Sequence, residues 1–171
     1  MEMKDNYLFK CFFIMFICFT IDSLISYFMP LNYSKEGYTV VPAVALMMYM
    51  LIVKSVEGAN RYFFGAICGL YYSVVYTNSL AIYILIYVII AFIRSYVVKI
   101  EEFSILEAFV ISILTIFAQE VVVYWLMKIT NTTSILLSQF MLMRVLPTLA
   151  VNAILFIGVF FAYKKIEIEV V

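Results

Sequence analysis

R-V-L-P-T-L-A-V-N, residues 144–152, decides how this chain is read. The stretch lies inside an apolar run from Ile135 to Tyr163, yet it carries a charge, a proline and an amide. Arg144, Thr148 and Asn152 follow at i, i+4 and i+8, so a helix sets them on one face, with Pro147 beside it. A guanidinium in hydrocarbon costs roughly 3 to more than 10 kcal/mol, offset by a partner, a water-filled cavity or snorkelling. The run therefore predicts a polar face inside a membrane that something must satisfy.

Composition sets the medium around that face. Of 171 residues, 67% are hydrophobic and 13% charged, with mean hydropathy +1.10. A soluble domain carries about a quarter charged residues. The chain reads as an integral membrane protein, all α-helical, folded as a single domain over 1–171. Zero net charge and the lack of a basic tail point away from nucleic acid. The sequence has no His, which excludes His–metal sites and His acid–base catalysis. Cys11, Cys18 and Cys68 fall in apolar runs without a CxxC and read as buried small hydrophobes. With no nucleophile–base pair, metal-ligand spacing or phosphate-cradling loop, the reading is a non-enzyme with no catalytic, cofactor-binding or metal residues.

Working outward from the sixth run, the apolar segments predict six spans: 7–29, 38–53, 62–76, 80–98, 105–127 and 135–163. The first, at 23 residues, extends about 34 Å as a helix and is too long for a signal peptide. The second is short, with Pro42 near its first turn. Residues 62–98 are too long for one span, and Thr77-Asn78-Ser79 supplies the break. Ser112, Thr115 and Gln119 give the fifth span a polar stripe. The sixth, at 29 residues, should tilt or kink near Pro147. Placing both termini in the cytoplasm leaves Lys4, Lys10, Lys54, Arg61, Arg94, Lys99, Lys164 and Lys165 inside against Lys35 and Lys128 outside, so the positive-inside rule predicts N-in, C-in.

That topology brings the buried charges to one depth. Asp22 and Glu120 each lie seven residues from the outer end of their spans, about 10 Å deep, and Arg144 lies nine residues in, about 13 Å. Arg144 is expected to pair with Glu120, Asp22 or both. Such a cluster holds helices together, lines a pocket or partner groove, or conducts ions; a single layer makes a poor relay. Gly65-x-x-x-Gly69 is a small-xxx-small pair suited to close helix packing.

Several ordered motifs add a resemblance. Pro42 early in a short second span is followed by G-A-N-R-Y-F-F-G-A-I-C-G-L-Y-Y (58–72), T-N-S-L-A-I-Y (77–83) and L-P-T-L-A-V-N (146–152). Over roughly residues 38–160 this resembles the bacterial rod-shape-determining protein MreD family. Ser73 and Ala81 depart from that pattern, where members often carry an acidic residue and a glycine.

The resemblance implies a non-enzymatic scaffold of the cell-elongation machinery in the bacterial cytoplasmic membrane. Its implied partners are an MreC-like single-pass protein and, through it, the MreB filament, RodA and a penicillin-binding transpeptidase, so that it organises peptidoglycan synthesis and cell shape. It also implies a six-helix arrangement similar to the S components of energy-coupling-factor vitamin transporters. The alternative expectation is accordingly a vitamin-binding S component, with Asp22, Glu120, Arg144 and Asn152 lining the pocket and a small molecule bound there. Under the scaffold expectation, Gly65, Gly69, Pro147 and the polar face of the sixth span serve recognition of the partner's helix.

Overall fold

Apolar sequence in hydrocarbon must satisfy its backbone within itself, and helix is the local solution. The computed structural model describes residues 2–28, 32–33, 38–76, 80–98 and 103–166, and helix dominates them. In chain order come α1 (Glu2–Phe28), a two-stranded antiparallel ribbon of β1 (Asn32–Tyr33) and β2 (Tyr38–Thr39), and α2 (Val44–Ile52), continued by a 3₁₀ turn to Ser55. Then follow α3 (Asn60–Tyr76), α4 (Leu80–Tyr96) and α5 (Ile105–Ile129). The last helical run comprises α6 (Leu137–Phe140), a π-turn (Met141–Val145) and α7 (Leu146–Lys165).

Three helical segments are long and apolar enough to cross a membrane: Tyr7–Phe28, Ile105–Ile129 and Leu137–Lys165. The protein is an α-helical membrane protein. The turn at 77–79 lies outside the described residues, as does Pro30, but α3 ends at Tyr76 and α4 starts at Leu80 on either side of that turn.

The second expected span is corrected. A helix was anticipated from Tyr38, but Tyr38 and Thr39 pair with Tyr33 and Asn32, and helix begins only at Val44. Pro42 therefore precedes the helix instead of sitting in its first turn. Nine helical residues reach about 13 Å, less than half the hydrocarbon thickness of about 30 Å. Every side chain of α2 is buried. It packs against α1, α4, α5 and α7, so this short, wholly buried helix is the core of the fold. A helix ending inside a membrane is tolerated where its ends are enclosed by protein.

Around this core, α3 and α4 form a tight hairpin. A Cβ on Gly69 would lie 2.6 Å from both the Tyr83 carbonyl oxygen and the Ile84 Cα, so the two backbones touch where only glycine fits. A Cβ on Gly65 would meet the Tyr49 hydroxyl of α2 at 2.5 Å. Both glycines thus pack inside the chain. The sixth run does depart from a straight α-helix, through the π-turn immediately before Pro147. Proline lacks an N–H and its ring crowds the carbonyl four residues back. The wider turn ends just before Leu146, so the ladder is already interrupted where Pro147, the second residue of α7, cannot donate.

Candidate functional site

A buried half-helix leaves its first N–H groups without intrahelical partners, and in this medium water does not supply them. Two neighbouring helices do. Asp22 of α1 accepts from the backbone N–H of Val44 at 2.8 Å and of Ala45 at 2.9 Å, one oxygen to each. The Asn152 side-chain oxygen accepts from the Ala43 N–H at 2.8 Å, and Thr148 Oγ1 accepts from the Val41 N–H at 3.2 Å. Pro42 has no N–H. From Val41 to Ala45, then, every backbone donor is matched.

Asn152 also donates, through Nδ2, to the carbonyl oxygens of Val41 and Thr148, each at 2.8 Å. It therefore brackets Pro42 from both sides, much as a neighbouring strand would. The negative Asp22 carboxylate at the positive end of α2 is the favourable sense of the helix dipole.

The opposite end of α2 has the complementary arrangement. Arg94 of α4 is buried and donates to the carbonyl oxygens of Met50 at 3.3 Å and Val98 at 2.6 Å. Its guanidinium lies 4.2 Å from the centre of the Phe103 ring. Arg61 of α3 donates to the Lys54 and Val56 carbonyls, each at 2.8 Å, and to the Ser95 hydroxyl. Midway along, the Tyr49 hydroxyl donates to the Tyr87 carbonyl oxygen at 2.9 Å, tying α2 to α4. Reading Arg94 and Arg61 only as cations of the inner side missed this role, and neither position announces it in sequence.

The three charges expected in one layer divide. Arg144, in the π-turn, pairs with Glu120 of α5, its Nε lying 2.6 Å from Oε2 and Nη2 3.4 Å from Oε1. Asp22 goes to the helix end instead, because two aligned backbone N–H groups stand beside it. The four residues assigned to the sixth run separate likewise: Arg144 serves α5, Thr148 and Asn152 serve the segment entering α2, and Pro147 begins α7. On α5, Ser112 and Gln119 are buried, whereas Thr115 is half-buried and bonds back to the Ile111 carbonyl. Among the described residues no group of His, Cys, Asp or Glu is placed to hold a metal ion.

Comparison with protein-family models, with curated proteins and with solved structures finds no match.

Proposed function

We propose that this chain is an N-in, C-in scaffold of the MreD type in the bacterial cytoplasmic membrane, in which the extended entry from Tyr38 and the half-helix α2 together cross in place of a full second helix. In this reading it binds an MreC-like single-pass protein and, through it, positions the MreB filament and the peptidoglycan synthases during elongation. It acts without catalysis or cofactor, through helix recognition.

One observation carries the reading. The motifs behind the resemblance are scattered in sequence but meet around α2 and in the α3–α4 hairpin beside it. Pro42 is bracketed by Asn152 of the L-P-T-L-A-V-N motif. Arg61 and Gly69 come from the G-A-N-R…C-G motif: Arg61 closes the far end of α2, and Gly69 packs on Tyr83, the last residue of the T-N-S-L-A-I-Y motif. A rigid frame around a buried half-helix suits a protein that holds others in place. The vitamin-carrier alternative draws less support, since Asp22 and Asn152, two of its four pocket residues, already have their polar atoms engaged within the chain.

Native mass spectrometry of the protein extracted gently from its own membranes tests the proposal. Co-purification of a single-pass protein with a periplasmic coiled coil is the expected result. A bound small molecule of vitamin mass with no such partner would overturn it.

A further inference from the structure

Glu120 occupies one edge of the Arg144 guanidinium, through Nε and Nη2. Nη1 has no partner among the described residues, and the Arg144 side chain is 27% exposed while that of Glu120 is 2% exposed. An N–H left unmatched in hydrocarbon costs several kcal/mol, so an acceptor from outside the chain would stabilise this open edge. Beside Arg144 runs a face of α7 and the π-turn formed by Met143, Pro147, Ala150, Ile154, Gly158 and Phe161, spaced as one helical stripe. All but half-buried Pro147 are exposed, and a Cβ added at Gly158 would meet nothing within 4 Å. Acyl chains can cover such a stripe but cannot accept a hydrogen bond. A helix can do both, and Ala150 and Gly158 allow its backbone to come close.

We infer that a partner's transmembrane helix docks along this face, presenting a side-chain carboxylate or amide oxygen to the open edge of Arg144. This rests on the scaffold reading and names the face and the chemistry that it uses.

The test places a photo-cross-linking benzoylphenylalanine at Ile154 or, as a control, at the exposed Phe13 of α1, in the full chain in its own membranes. The expected result is cross-linking from Ile154, and not from Phe13, to the same single-pass protein that co-purifies. Replacing the ion pair together (Glu120→Gln with Arg144→Gln) should lower that yield about tenfold, the loss of one charge-assisted hydrogen bond. Ala substitution of the partner's acidic or amide residue should do the same. Gly158→Leu, which has room in the free protein, should also lower it without disturbing the fold.

Cross-linking from Phe13 alone, or to lipid alone while the partner still co-purifies, overturns the face but leaves the scaffold reading standing. Undiminished cross-linking in the ion-pair and Gly158→Leu variants overturns the contact. Failure of any partner to co-purify removes the scaffold reading itself.

Discussion

Asp22 and Glu120 are two carboxylates at similar distances from their helix ends, both buried, and they are satisfied in different ways. Glu120 meets a guanidinium on another helix, whereas Asp22 meets the N-terminus of a helix. Both solutions supply positive potential and N–H donors to an anion taken out of water. Depth alone therefore identifies a layer, and the partner depends on which donors end there. The pairing with Arg144 locks α5 to the π-turn; the capping by Asp22 locks α1 to α2. Removing either carboxylate should loosen a different joint.

The largest effect is expected at the ion pair. Glu120→Gln leaves the Arg144 charge without a counter-ion and should cost about 3–5 kcal/mol in a reversible detergent-unfolding titration. Adding Arg144→Gln should restore much of the loss, since two amides can bond to one another.

Asp22→Leu should come next, at about 3 kcal/mol, because two buried N–H groups lose a charged acceptor. Asp22→Asn keeps one acceptor oxygen and should lose less, as read by the same titration. Hydrogen exchange should then show faster exchange at Val44 and Ala45 than elsewhere in α2.

Glycine contacts around the core give a smaller pair of effects. Gly69→Ala drives a methyl into the α4 backbone and should cost about 2–3 kcal/mol. Gly65→Ala meets the end of a tyrosine side chain, which can move, and should cost less. Combining Gly65→Ala with Tyr49→Phe should recover part of that loss; thermal unfolding of the three variants checks the order.

At the far end of α2, Arg94→Leu should cost about 1–3 kcal/mol through unmatched carbonyls. Arg94→Lys should fall between Leu and wild type, since a lysine lacks the planar fork that reaches Met50 and Val98 together.

Much of this frame was legible in the sequence, and the remainder was hidden for definite reasons. Apolar runs located α1, α5 and the last helical run closely, because length and hydropathy fix a long membrane helix. The i, i+4, i+8 spacing of Arg144, Thr148 and Asn152 marked side chains that are all used inside the protein. What they hold was not legible: the apolar run from Tyr38 reads as a span, and nothing in its composition distinguishes a spanning helix from a fully enclosed half-helix. The start at Val44 is set by side chains distant in sequence: Asp22 caps it, and Thr148 and Asn152, more than a hundred residues away, hold the segment before it. Pro42, which blocks a backbone donor and favours extended structure before it, was the available sign.

Arg94 and Arg61 were equally hidden, because a basic residue near a helix end serves the positive-inside rule and a carbonyl cap with the same sequence signature. The start of α5 at Ile105 was located by its apolar run, and a local signal stands beside it. Ser104 and Glu107 form a reciprocal capping box, the S-x-x-E pattern that opens many helices.

The most direct test of the account is a pair of double-mutant cycles on Arg144→Gln, one with Glu120→Gln and one with Asp22→Asn, read by reversible unfolding in detergent. Coupling above about 1 kcal/mol for Glu120 and additivity within about 0.5 kcal/mol for Asp22 are predicted. Strong coupling of Asp22 to Arg144, with Glu120 additive, would contradict the assignment of Asp22 to the buried end of α2.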